Sequence, residues 1–158
     1  GIPPAANPPP PADNFDKYMG RSVIGGGTKK LNDTDYERMT VRGTCRKLEK
    51  EYLRLTSPPR AELVRPKEVL EGHLANLKRA YYHDGKVHDG RARNYEWFCS
   101  QFKAIRQDLT VQRIVDAFAV DVYETHAKVA LEEDDLNEYN QSQTQLKELY
   151  ETIERNGN

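Results

Sequence analysis

Apolar residues in the second half of the chain recur at steps of three and four, the period of an amphipathic helix. The clearest stripe is Tyr95, Phe98, Phe102, Ile105 and Leu109, with Asn94 just ahead of it as an N-cap. Val69, Leu70, Leu74, Leu77 and Tyr81 make an earlier stripe. Pro66 suits the first position of that helix, where a missing N–H costs nothing, and Asp84-Gly85 ends it. Thr110 is the expected break after the central stripe. A further helix then runs from about Val111 to Glu132 with Ile114, Val115, Phe118, Val122, Thr125 and Val129 inward. An acidic turn reaches Asp135, which supplies both a cap and a favourable charge for the last helix. That helix carries Leu136, Tyr139, Gln143, Leu146, Leu149, Tyr150 and Ile153 and fades at Gly157. Its apolar groups lie on more than one side, which calls for a further domain or a partner against it.

The first half is less regular. Leu48, Tyr52 and Leu55 also recur at helical spacing, with Ser57-Pro58-Pro59 as a stop. Thr34-Asp-Tyr-Glu37 fits a capping box ahead of them, and Gly43 leaves either one kinked helix or two short ones. Six of the nine prolines lie between Pro3 and Pro11, and Gly25-Gly-Gly27 follows. Residues 1–30 therefore read as a disordered Pro/Gly-rich linker, and 31–158 as a helical domain. No strand-period segment of useful length is present. The fold expected is all-α, built of antiparallel helix pairs joined by short turns and stacked on one another. The core of that stack is assigned to Tyr95, Phe98, Phe102, Ile105, Leu109, Phe118 and Val122.

Charge and chemistry narrow the function. The formal net charge of −1 gives no general pull toward a polyanion. Residues 1–60 nevertheless carry 11 Lys and Arg against 7 Asp and Glu, and residues 61–158 carry 13 against 18. Lys103, Arg106 and Arg113 flank the expected helix break and are the candidate contacts to nucleic-acid phosphate. Pairing of Arg106 with Asp108 or Glu124 is the competing arrangement. Arg42, Arg46, Lys47, Lys50 and Arg54 form a second basic set, interrupted by Glu49 and Glu51. Gly25 to Lys30 lacks the G-x-x-x-x-G-K-[ST] pattern of a phosphate loop.

Two cysteines, Cys45 and Cys99, fit a reducing compartment. With His73, His83, His88 and His126 they offer no pairing at ligand spacing on one helix face, so neither a metal nor a cofactor is expected. His83-Asp-Gly-Lys-Val-His-Asp-Gly90 reads as an inter-helix loop, and His126 as a histidine satisfied by a neighbouring helix. No nucleophile and base can be paired from the sequence, which argues against an enzyme and a small-molecule substrate. No apolar run approaches the ~20 residues needed to span a bilayer.

Several blocks in the same order carry a family resemblance. They are Val41-Arg-Gly-Thr-Cys45, Glu51-Tyr-Leu-Arg-Leu-Thr56, Val64-Arg-Pro66 with Val69-Leu70, and Phe102 through Gln112. Val120-Asp-Val-Tyr-Glu-Thr-His-Ala127, Ala130-Leu131, Glu138-Tyr-Asn-Gln141 and Gln143-Thr-Gln-Leu146 with Leu149-Tyr150 complete the set. Together, from about Met39 to Glu151, they resemble the Sac/GANP/Thp family domain, and most of all its Thp-like branch of leukocyte receptor cluster member homologues. The resemblance implies a PCI-type module: a right-handed, TPR-like stack of helix pairs, normally closed by a winged helix that this segment does not reach. It implies a nuclear, non-enzymatic scaffold coupling transcription to messenger-RNA processing, splicing or export. The implied partners are other PCI-type proteins, a small acidic peptide subunit and, for some members, RNA or DNA. The competing readings are a PCI-type subunit of a proteasome-lid or signalosome-like complex and a direct nucleic-acid-binding helical module.

Overall fold

The 3.6-residue period is realised as four helices in a computed structural model that describes residues 40–157. Thr40–Leu53 and Pro59–Asn158 make up one compact unit. Of the other unit, only Arg54–Pro58 falls among the described residues. The linker assigned to residues 1–30 and the capping box at Thr34–Glu37 lie outside them.

The helices are α1 (Lys67–Tyr82), α2 (Tyr95–Val111), α3 (Ala117–Glu132) and α4 (Leu136–Asn156), with a 3-10 turn at Ala61–Leu63 ahead of α1. Pro66 is the N-cap of α1, one position earlier than its sequence assignment. Asn94 caps α2, its side chain accepting from the Trp97 amide at 3.0 Å. Asp116 caps α3 through the Ala119 amide, and Asp135 caps α4 through the Glu138 amide. Each cap satisfies a backbone donor that has no partner inside its helix.

Leu70, Leu74 and Leu77 of α1, Phe98, Phe102, Ile105 and Leu109 of α2, and Ala119, Val122 and Val129 of α3 form one continuous core. Tyr95, Phe118 and Leu149 pack half-buried against it. Consecutive helices therefore share one apolar seam, and full burial of each large side chain contributes about 1.5–3 kcal/mol. On α4, Leu146 is buried while Leu136 and Tyr150 are exposed. The inward line of α4 is more polar than its sequence suggests: Glu138 and Ser142 are buried, and Gln143 faces solvent.

Two expectations are corrected. The break after α2 falls not at Thr110 but at Gln112–Asp116, so α3 begins at Ala117 and Ile114 and Val115 lie in the connection. Thr110 stays helical, its hydroxyl donating to the Arg106 carbonyl at 2.8 Å. The chain turns instead where Arg113 adopts the left-handed region (φ 56) and the Ile114 amide reaches back to the Leu109 carbonyl at 2.9 Å. That six-to-one bond is the Schellman way of ending a helix.

Secondly, the segment holding Leu48 and Tyr52 is irregular, with a bend at Leu48, and not helical. Its backbone donors find partners far away in sequence. Val41 donates to the Val111 carbonyl at 3.1 Å, Thr44 to Ala61 at 2.9 Å and Cys45 to Val64 at 2.9 Å. Gly43 lies so close to the Val64 backbone that an added Cβ would sit 2.3 Å from the Val64 carbonyl oxygen. Thr40–Leu53 thus forms a strap laid along the helices.

Residues 83–90 lie in the connection between α1 and α2, as expected, and that connection carries a two-residue hairpin, β1 (Val87–His88) paired antiparallel with β2 (Arg91–Ala92). Its central residues, Asp89 (φ 51) and Gly90 (φ 74), both take positive φ. Asp-Gly is suited to that kind of tight turn.

Candidate functional site in the second helix

The stretch Ile105–Gln112 distributes its side chains around the last turns of α2 and its C-cap. Ile105 and Leu109 enter the core, and the polar residues between them reach two different elements. Asp108, fully buried, accepts from Arg65 Nε at 2.8 Å and from Lys50 Nζ at 2.7 Å. The Arg65 amide points at the same carboxylate from 3.3 Å. Arg65 is itself 0 % exposed, and its Nη1 donates to the Leu48 carbonyl at 2.5 Å. Gln112 donates to the Arg65 carbonyl and accepts from the Gly43 amide at 3.0 Å. Gln107 donates to the Leu53 carbonyl at 2.9 Å. Further along α2, Gln101 and Ser100 accept from the Lys50 and Tyr52 amides. One helix face therefore supplies several of the hydrogen bonds that the irregular strap cannot make with itself.

The other polar face holds α4. Arg106 is 7 % exposed, and its guanidinium donates to Glu138 at 2.5 Å and to Gln145 at 2.9 Å. Its Nη1 also lies 3.0 Å from His126 Nδ1. Arginine can only donate, so His126 Nδ1 is the acceptor and the proton sits on Nε2. Burial first, then the Arg106 and Lys103 charges, push the His126 pKa well below its ordinary value. The ring stacks on Phe102 with centroids 5.1 Å apart. His126 is thus a neutral group whose Nδ1 is satisfied by the neighbouring helix, while its buried Nε2 has no hydrogen-bond partner among the described residues.

His73 is likewise buried and donates from Nε2 to Gln101 Oε1 at 2.8 Å. Burial is the main reason its pKa falls to about 4. Cys99, Asp135 and Glu138 bring three ligand-type atoms together. Glu138, however, is held by Arg106 and lies 3.4 Å from Lys103. Burial and the Glu138 charge push the Cys99 thiol up, away from the thiolate that binds metal or attacks.

The three candidate phosphate contacts are not brought together as one surface. Arg106 is interior, because its charge is matched by Glu138 from α4, and neither Asp108 nor Glu124 is its partner. Lys103 sits at the edge, beside Glu138 and 5.7 Å from the Tyr52 ring centroid. Arg113 occupies the left-handed turn after α2. In the second basic set, Arg46 pairs with Glu68, and Lys50 with Asp108. Among the proposed core residues, Phe98, Phe102, Ile105, Leu109 and Val122 are fully buried. Sequence reasoning missed Arg65, Gln101, Gln112, Ser142 and Gln145 as functional positions. For Gln101, Ser142 and Gln145 a polar residue within a helix was the available signal, and Arg65 and Gln112, outside the helices, gave none; the partners that matter lie 17 to 69 residues away.

Fold and site define a class: an all-α stack of helix pairs whose inward polar residues serve to lock one element to the next. No family model matches the chain. It is 49% identical over 124 residues to SAC3 family protein A of Arabidopsis thaliana, a match covering 78% of this chain and 11% of that protein. A THP3 homolog of Schizosaccharomyces pombe is 45% identical over 146 residues, covering 87% of this chain and 35% of the relative. A leukocyte receptor cluster member 8 homolog of Xenopus laevis is 42% identical over 152 residues, 85% of this chain and 18% of the relative. The chain belongs to the Sac3/Thp3-like family. It spans between 11% and 35% of the length of these relatives.

Proposed function

We propose that this chain is the helical part of a PCI-type module and acts as a non-enzymatic scaffold in nuclear messenger-RNA maturation, linking transcription to processing, splicing or export. The observation that carries the reading is the coincidence of two ranges. The stretch alike in the relatives covers most of the described unit, and the polar groups of that unit's central helix are engaged in holding helices and strap together. A helix stack locked from within offers a rigid outer surface, which is what a subunit needs in order to hold partners without reorganising. The partners proposed are other PCI-type proteins and a small acidic peptide subunit, and the site of action is the nucleus. Among the described residues no helix is long and apolar enough to cross a membrane.

The test is affinity purification of the tagged, full-length protein from its own cells, with imaging of the same tag. Recovery of PCI-type and RNA-processing proteins from a nuclear pool is the expected result. Recovery of proteasome-lid or signalosome subunits in their place overturns the assignment of process while leaving the architecture standing. Purification that yields no PCI-type protein at all overturns both.

A further inference from the structure

The repeated His-Asp-Gly stretch is the one sequence motif that a scaffold does not use. In the fold its second copy leaves the loop and meets the strap. His88 lies in β1, Asp89 opens the hairpin turn, and Glu49 of the strap comes up against them. Glu49 Oε1 is 3.0 Å and Asp89 Oδ2 is 3.6 Å from His88 Nδ1. The three donor atoms all lie within 4.8 Å of one another. The His88 side chain is only 10 % exposed, and its Nδ1 is buried without a hydrogen-bond partner. The Glu49 oxygen approaches that nitrogen without the alignment of a hydrogen bond.

A buried imidazole nitrogen facing two carboxylates is a donor set for a divalent cation. Bonds of about 2.0–2.2 Å to a tetrahedral ion place its ligands roughly 3.3–3.6 Å apart. The Asp89 separation of 3.6 Å lies in that range, and the Glu49 separation of 3.0 Å needs only a small outward shift of an exposed side chain. Nitrogen in the set favours an ion of the zinc class over Mg²⁺ or Ca²⁺, which take oxygen. Arg93 is the competing charge: its Nη2 stands 3.7 Å from Glu49 Oε1, while its guanidinium lies over the Trp97 ring at 4.7 Å. Two carboxylates outnumber that single cation, so the site retains negative charge for an incoming ion. The geometry points to a Zn²⁺ site formed by Glu49, His88 and Asp89, open at a fourth position, that pins the strap to the hairpin. Its ligands come from segments 39 residues apart in the chain, which is why no local spacing announces it.

The reporter is built in. Trp97 is the single tryptophan of the chain, and its ring centroid is 5.0 Å from that of His88. The experiment titrates the 158-residue chain with ZnCl2 and, separately, CoCl2, following Trp97 fluorescence and the heat of binding. The expected result is saturation at one ion per chain, quenching by Co²⁺, and no response to MgCl2. Paired substitution Glu49→Gln with Asp89→Asn should weaken binding by at least about 10-fold. Both changes keep side-chain shape, and asparagine tolerates the left-handed backbone at position 89. Their melting temperature in chelator should therefore match the unsubstituted chain. Cys99→Ser should leave binding unchanged. Three results overturn the site: no saturable response up to about 1 mM zinc, undiminished affinity in the paired variant, or loss of binding in Cys99→Ser.

Discussion

Asp108→Ala is the most informative single change, because it removes the acceptor shared by two cations from different elements. Arg65 is fully buried and would keep its charge with only the Leu48 carbonyl as a strong acceptor. Its Nη2 already lacks a partner. Removing one member of such a buried pair typically costs about 3–5 kcal/mol, because the other is left uncompensated. For a domain of this size that corresponds to a fall in Tm of roughly 10–20 °C. Lys50 is partly exposed and also donates to the Leu63 carbonyl at 2.6 Å, so Lys50→Met should cost only about 1 kcal/mol. Urea unfolding followed by circular dichroism measures these differences directly. Replacing both members, Asp108→Leu with Arg65→Met, removes the stranded charge and should recover most of the loss. A loss below about 1 kcal/mol for Asp108→Ala, or a double variant no better than the single, would refute the reasoning.

Phe102 is fully buried beneath His126, so Phe102→Ala should cost about 3–5 kcal/mol in the same assay. An unchanged unfolding midpoint would show that the core is placed wrongly. Gly43→Ala would drive a methyl into the Val64 backbone, not into a yielding side chain. Strap displacement of about 1–3 kcal/mol is expected, readable as faster proteolysis before α1. His73 has a folded pKa of about 4 against an ordinary 6.5, so the unfolded chain takes up a proton first as the medium is acidified. Stability is complete above about pH 6.5 and falls as pH drops toward 4. The His73 share of the loss between pH 7 and 5 is about 2 kcal/mol, and His126 adds to it in the same direction. His73→Gln should flatten that slope, and a slope identical to the unsubstituted chain would remove His73 as its source.

The helices were legible because their signals are local. The stripe from Tyr95 to Leu109 and the caps Asn94 and Asp135 each need only a few neighbouring residues to be recognised. The strap was not legible for the opposite reason. Leu48 and Tyr52 stand at helical spacing by coincidence, and their segment is held out of a helix by partners on α2 and on residues 61–65. Gly43 was the one local clue, a residue without a side chain where two backbones meet. Arg106 was misread in the same way: a cation beside a helix break looks like surface until Glu138, 32 residues later, folds back onto it. The family likeness, carried by many blocks in order, reached further than any of these local patterns.

The central claim is that α2 holds the strap with one polar face and α4 with the other, each independently. Amide hydrogen exchange of Asp108→Ala and Arg106→Ala, compared with the unsubstituted chain, tests it most directly. The account predicts that Asp108→Ala releases the amides of Gly43, Lys50 and Tyr52 and leaves α4 protected, while Arg106→Ala does the reverse. Release of both elements by either substitution, or of neither, would contradict it.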